Sequence, residues 1–518
     1  MTLGGGIGSR LRQFGSDATK ALDEAVNEDR IRLAVTGLSR AGKTVFITSL
    51  IHNLLALSRG LNTLPRLSEL LTVNGVNRLH GAAVLPSGAA LLPTFDYQAK
   101  LRGLAADEPT WPERTDDLAQ VSIALELERT SAIGQRLGNR RVRLDILDYP
   151  GEWLLDLPLL ELSFQDWSKA TLDLLRQPPR DEIFRPFLSF IANLRLTDRA
   201  DETVARQGHE LYRQALLAVR QRHGLRYLQP GRFLCPGPQS DAPFMWFFPM
   251  EGAVSGQLRA HSMGALLRDR FETYKKQILA HFFEPHFQKF DRQIVLVDVL
   301  GALSAGRGAF DDTARSIKEI AEALSYGHRR LQLIRSTASE ALRLYGRLPL
   351  PFSSKSDKAG QQLGRHRIEK VAFVATKCDH VPALKRDNLR NLLRVLVNPV
   401  DAHQTGQGAS VSYHVAAALH STEDGVAKMA ERKIVDGSET MSERSVEVVK
   451  GVPMGRSKVH SFFVGEVPSN LPPESFWNEA YFDLPEFSPP PLDPTGQKGL
   501  RNLGIDAVMV EVLGDLLK

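Results

Sequence analysis

"VTGLSRAGKTVFITSL", Val35 to Leu50, decides how the chain is read, because Gly37, Gly42, Lys43 and Thr44 reproduce the spacing G-x-x-x-x-G-K-[ST]. The preceding "IRLAVTG" is a short apolar run ending in glycine, which predicts a buried strand. The following "TVFITSLIHNLLAL" is apolar almost all round and predicts a buried helix. Strand, glycine loop and helix in that order separate a phosphate cradle from a chance match. The backbone N–H groups of Ser39, Arg40, Ala41, Gly42, Lys43, Thr44 and Val45 then converge on phosphates, with the positive end of the helix behind them. Lys43 brings a point charge to the β- and γ-phosphates, and the Thr44 hydroxyl is a ligand for Mg²⁺. The plainer alternative is a glycine turn that merely joins strand to helix.

Two further stretches complete the constellation. "VSIALELE" at 121–128 alternates as a half-exposed strand, and "RVRLDILDYPGEW" predicts a second strand ending at Asp148, followed by Gly151. A carboxylate at that strand end reaches Mg²⁺ through water, and glycine lets its own amide approach a γ-phosphate; a proline-cornered turn explains the same letters. "TKCD", Thr376 to Asp379, follows the apolar "VAFVA". An ionised carboxylate accepts two hydrogen bonds, and guanine offers two adjacent donors where adenine offers none, so Asp379 selects guanine. Lys377 lays its stem along the ring, and Thr376 is expected to tie this loop to the P-loop. In "VAAALHS" at 415–421, the N–H of Ala418 or Leu419 is placed to meet the guanine carbonyl, although a buried strand end reads equally well.

Composition excludes several classes. A chain of 518 residues is too long for one ordinary core, while 42% hydrophobic and 24% charged residues describe a globular protein. The 65 Lys and Arg against 60 Asp and Glu leave +5, with no basic block, so no nucleic-acid partner is expected. The 2 cysteines, Cys235 and Cys378, have no C-x-x-C partner, which argues against a disulfide framework or structural zinc and for a reducing cytoplasm. The N-terminal stretch lacks a signal-peptide apolar region, and no apolar run reaches the roughly 20 residues of a membrane helix, leaving peripheral membrane contact only.

The expected fold is α/β, a P-loop NTPase with a mostly parallel sheet flanked by helices, an inserted all-helical domain and a small β-rich extension. Residues 1–30 hold a helix docked on the core, 31–152 the first part of the nucleotide domain, and 153–290 the helical insertion. Strands resume at 293–301, 370–379 and 411–419, giving a second part over 291–424. Alternating segments within 425–483 suggest the β-rich extension, and 484–518 combines a proline-rich tether with a final helix. "APFMWFFPM" at 242–250 reads as core rather than a ligand box, and 352–367 as an exposed loop.

The ordered set "GLSRAGKT", "DYPG" and "TKCD" resembles the translation-factor-like P-loop GTPases. With "FDYQAKL", "WPERTDDLAQ", "LDYPGEWLLDLPLL", "LQPGRF" and "VGEVP", the chain resembles the YcjX-like family of bacterial stress-associated P-loop proteins, from the P-loop to near residue 467. The resemblance implies a guanine-nucleotide-binding domain interrupted by a helical insertion, with a further small domain, and a link to membrane or phage-shock stress in some members; with the Mg²⁺ residues above, the expected cofactors are GTP or GDP and Mg²⁺. It leaves the protein effector undefined. Within that frame Thr115, in "WPERTDD", is the candidate second Mg²⁺ ligand, with Arg114 beside it and Thr94 and Thr110 as competitors.

Two departures bear on hydrolysis. Glu152 stands where many small GTPases place a water-orienting glutamine after the glycine, and its negative charge predicts slow turnover. Ser39 and Arg40 replace small P-loop residues; either can crowd a partner's arginine, and Arg40 can supply charge in cis. A slow GTPase that moves its insertion is therefore the leading expectation, against a nucleotide-binding scaffold that does not hydrolyse, or an ATPase if "TKCD" is accidental.

Overall fold

The structure is a computed structural model. It describes residues 28–86, 92–112, 117–130, 138–237, 240–252, 259–278, 280, 287–324, 368–397, 409–435, 438–479, 482–493 and 497–518. The expected N-terminal helix up to residue 27, the loop at 352–367, and Arg114 with Thr115 lie outside the described residues.

Successive apolar residues in the central strands point to opposite faces, which requires cover on both sides of the sheet. In β1 (Glu28–Gly37), Ile31, Leu33 and Val35 enter one buried cluster, while Ala34 and the following Leu38 enter the other. The chain continues through α1 (Lys43–Ser58), α2 (Pro65–Leu71), a ribbon of β2 (Thr72–Val73) and β3 (Val76–Asn77), then β4 (Leu79–Val84) and α3 (Tyr97–Leu104). Strands β5 (Ala119–Leu127) and β6 (Arg140–Asp148) lead to a 3-10 run, Gly151–Glu161. Helices α4 (Phe164–Leu175), α5 (Arg180–Ala192), α6 (Glu202–His223) and α7 (Met263–Ile278) precede β7 (Arg292–Val297). Then come α8 (Val299–Ser304), α9 (307–324), β8 (Lys370–Ala375), α10 (Arg386–Val397) and β9 (Ser410–Val415).

The sheet order is β4-β5-β6-β1-β7-β8-β9. The pairs β6–β1, β1–β7, β7–β8 and β8–β9 are parallel, while β5 runs antiparallel to β4 and β6. The carboxyl ends of β1, β7 and β8 therefore share one edge, where ligands of open α/β sheets bind.

Helices α1 and α2 cover one face together with α12 (Ile505–Leu517), whose Ile505, Val508, Met509, Val512, Leu513 and Leu517 join the cluster of Leu33 and Val35. The helices between β6 and β7 cover the other face, sharing a cluster with Val295, Val297 and Phe373. Met245, Phe247, Phe248 and Met250 of "APFMWFFPM" are buried there, and Phe247 packs between Trp167, Phe233 and Tyr274. Residues after β9 form an antiparallel sheet of β10 (Thr422–Val435), β11 (Ser438–Gly451) and β12 (His460–Phe462), followed by α11 (Glu474–Glu479).

Three local expectations change. Strand β1 starts at Glu28, so residues 28–30 belong to the sheet and not to an N-terminal helix. Strand β4 was not anticipated; it is a sheet edge of mostly partly exposed small residues, without an alternating pattern. The proline-rich segment is no free tether, because Phe487 is buried against Gly451 and Phe462, and Ser488 donates to Val452.

Candidate nucleotide site

The loop from β1 to α1 has the backbone a phosphate cradle needs. Arg40 (φ 69°) and Gly42 (φ 80°) take left-handed conformations that reverse the chain, and no described side chain caps the α1 N-terminus at Gly42. First-turn N–H groups without a side-chain cap favour an anion. Lys43 Nζ donates to the Gly37 carbonyl at 2.8 Å, which folds the ammonium back over the loop. Val45, one residue beyond Thr44, packs against the cluster of Leu104, Leu419 and Leu500.

Asp148 ends β6 opposite Val35 and is 1% exposed. Beyond it, a Cβ on Gly151 would lie 2.6 Å from the Gly37 carbonyl carbon and 2.9 Å from the Leu38 nitrogen. Only glycine lets this segment press against the P-loop. The Glu152 carboxylate, 2% exposed, accepts the Ser39 N–H through Oε1 at 3.2 Å. Thus Ser39, Gly151 and Glu152 meet in one place.

The segment after Gly151 is held by residues 229–235 and by α7. Asp156 accepts from the N–H groups of Gly231 and Arg232 and from the Tyr274 hydroxyl at 2.6, 3.2 and 2.7 Å. Burial outweighs these bonds and pushes its carboxyl up to about 6. Gln229 Nε2 donates to the Leu155 carbonyl at 2.6 Å, Trp153 Nε1 to Cys235, and the Arg232 guanidinium lies over the Trp153 ring. These are the residues of "LQPGRF" and its neighbours, so that motif acts as a clamp on "DYPGEW".

At the end of β8, Asp379 is 1% exposed, and its Oδ2 accepts both the N–H and the Oγ–H of Ser421, at 2.8 and 2.7 Å. Lys377 adopts φ 59° and pairs with Asp298, the residue after β7, at 2.6 Å. Burial alone would raise the Asp298 carboxyl, but the Lys377 ammonium holds it below its ordinary range. Thr376 gives both its N–H and its hydroxyl to the Val297 carbonyl, so it ties the loop to β7 rather than to the P-loop. The Leu419 side chain is buried with Leu104 and Leu500, and Ala418 is partly buried beside it. Of the competing threonines, Thr94 bridges Gln120 and Thr110 donates to Gly103.

The donors at this edge fit Mg²⁺. It takes hard oxygen ligands and keeps several waters and substrate phosphates, so one hydroxyl and one carboxylate suffice from the protein. Thr44 and Asp148 are of that kind, and no cluster of three or more His, Cys, Asp or Glu suited to a softer metal occurs among the described residues. Sequence reasoning missed Ser421, Asp298 and Arg226, the last of which lines a cleft with Ser39 and Arg40. Only their positions relative to distant strands mark them.

A mostly parallel sheet with a glycine loop between its central strand and a buried helix defines an α/β protein of the P-loop GTPase type. The chain belongs to the YcjX-like family (DUF463), whose family model matches residues 31–517. It is 30% identical over 495 residues to "Ras-like GTPase YcjX" of Escherichia coli (strain K12), covering 94% of this chain and 96% of that protein. A protein of the same name from Shewanella oneidensis is 30% identical over 501 residues, covering 94% and 95%. No described helix is long and apolar enough to cross a membrane.

Proposed function

We propose that the chain binds GTP and GDP with Mg²⁺ and slowly hydrolyses GTP to GDP and phosphate. The observation that carries this reading is the Asp379 carboxylate, oriented by Ser421 at the same sheet edge as the P-loop. A carboxylate fixed there reads the two adjacent donors of guanine. Lys43 and the N–H groups from Ser39 to Val45 hold the phosphates. Thr44, and Asp148 through a water, would hold Mg²⁺, with Thr115 completing the set; the ion would supply positive charge against the transferred phosphate. Water then bonds to the γ-phosphorus as the bond to the β–γ bridging oxygen breaks, and the water proton leaves with the phosphate. Gly151 brings its amide to the γ-phosphate, Glu152 orients the water, and Arg40 adds charge from the P-loop.

The clamp of "LQPGRF" on "DYPGEW" supports a second step, in which the state of the γ-phosphate reaches the inserted helices through Gly231 and Asp156. A guanine nucleotide, an undefined protein effector and a peripheral membrane or membrane-protein partner complete the reading, with a role in envelope or general stress response in the cytoplasm. The bond from Ser39 to Glu152 also favours a second reading, a nucleotide-binding scaffold in which that carboxylate suppresses hydrolysis.

Competition of GTP against ATP on the wild type, Lys43→Ala and Asp379→Asn tests the assignment. Lys43→Ala should lose nucleotide affinity by about a hundredfold, and Asp379→Asn should lose the preference for guanine, since an amide nitrogen then faces a guanine donor. Unchanged selectivity in Asp379→Asn would reject guanine recognition. Single-turnover phosphate release separates the GTPase from the scaffold.

A further inference from the structure

The proline-rich segment ahead of the last helix passes along the nucleotide edge. Its backbone is moored on the extension, where the Met454 N–H donates to the Glu486 carbonyl and the Ser488 N–H to the Val452 carbonyl, both at 2.8 Å. From that mooring two consecutive residues reach three of the loops that build the site. The Phe487 ring meets the His380 ring edge-on, with centroids 4.9 Å apart, and His380 directly follows Asp379. The Phe487 carbonyl accepts Trp111 Nε1 at 2.8 Å, and Trp111 opens the "WPERTDD" stretch that contains Thr115. The Glu486 carboxylate lies 3.6 Å from the Arg40 guanidinium on the P-loop. Both side chains of that pair are exposed, so it contributes little on its own and marks the path of the segment. Leu492 then packs against the cluster of Leu104, Leu419 and Leu500, against which Val45 and Trp111 also pack.

We propose that Phe487 is a positioning residue for nucleotide retention: residues 484–493 form a strap that ties the loop of Asp379 to the Trp111 segment, and bound GDP is released faster when that tie is cut. The inference rests on the guanine-nucleotide reading above. The tied loops come from distant parts of the chain, and a nucleotide that touches several of them leaves when they separate. A tie between such loops acts on the lifetime of the complex more than on the rate of encounter. By linkage, a strap that favours bound nucleotide is itself held closed by nucleotide, by the same factor. The β-rich extension, on which the strap is moored, thereby acts on the nucleotide site.

The test is stopped-flow fluorescence on the full chain with GDP carrying an N-methylanthraniloyl label. Phe487→Ala should raise the release rate about tenfold and leave the association rate within about twofold. Trp111→Phe keeps an aromatic ring but loses the Nε1 donor, and should raise release about threefold. The double variant should release no faster than Phe487→Ala alone, because both changes cut one tie. Hydrogen exchange of the wild type supplies the reciprocal measurement: the Met454 and Ser488 amides, which report docking of the strap, should exchange about tenfold more slowly in saturating GDP. Should Phe487→Ala not fold, Phe487→Leu carries the same comparison. In a wild type that binds the labelled GDP, three results would each overturn this inference alone: release rates unchanged in both variants, association and release rising in parallel, or exchange at those two amides indifferent to GDP. A wild type that does not bind labelled GDP overturns the guanine-nucleotide reading and this inference with it.

Discussion

The backbone N–H of Ser39 donates to Oε1 of Glu152 at 3.2 Å, so the acidic residue after the D-x-x-G glycine is fastened to the loop that would hold phosphate. A carboxylate there repels a γ-phosphate, and an amide does not. Glu152→Gln should therefore raise affinity for a GTP analogue over GDP about threefold, because the amide oxygen still accepts from Ser39 while the charge is gone. Calorimetric titration with each nucleotide checks this, and an unchanged ratio would mean the carboxylate is screened from the phosphate.

Gly151 sits too close to the P-loop for any side chain. A methyl group there would lie 2.6 Å from Gly37 and 2.9 Å from Leu38, both backbone atoms that cannot rotate away. Gly151→Ala should cost about 2 kcal/mol of stability and distort the loop enough to weaken GDP as well as GTP. Chemical denaturation and nucleotide titration of the same variant measure both effects.

Asp156 supplies a pH dependence. Burial raises its carboxyl to about 6 from an ordinary 3.8, so the folded state binds its proton more tightly than the unfolded chain. Its contribution to stability is fully present below about pH 4 and is lost as pH rises through about 6; the shift corresponds to roughly 3 kcal/mol at most. Other carboxylates change stability over the same range, so the quantity to follow is the difference between wild type and Asp156→Asn. That difference should move against the wild type between about pH 4 and 7 and stay flat above.

Phe487 anchors the proline-rich segment. Its ring is 1% exposed, packs on Phe462 and His380, and its carbonyl accepts from Trp111 Nε1 at 2.8 Å. Phe487→Ala should cost about 3 kcal/mol and open residues 484–493 to protease before the sheet unfolds. Equal cleavage of wild type and variant would show that the prolines alone hold the segment.

Much of the architecture is legible in local pattern. The strands ending at Gly37, Asp148, Val297 and Ala375 are apolar runs buried on both faces, and their order along the chain defines the nucleotide edge. Strand β4 escaped because an edge strand covered on little of either face has no alternation to read. The docking of the proline tract escaped because its one aromatic residue, Phe487, finds its pocket on β11 and β12, far from it in sequence. Residue identities at the candidate site are visible in the motifs, but their mutual placement is not. Ser421 orienting Asp379 is a contact across 42 positions, and Asp156 receiving Gly231 spans 75. Arg226 belongs to no motif at all; only the turn at Gly224 and the anchor at Asp312 send it toward the P-loop.

The long reach of α12 has a consequence for how the molecule is made. Arg292, at the start of β7, donates to the Val512 carbonyl 220 positions away and pairs with Asp515, while the Arg32 amide of β1 waits for Asp291 across 259 positions. During synthesis, β1 and its glycine loop emerge long before the neighbour that covers their open edge. An unpaired apolar strand is a template for wrong partners, and closing loops of this length is slow. The edge that carries the glycine loop is therefore completed late, once β7 and β8 have been made, and the face that α12 covers is closed last of all.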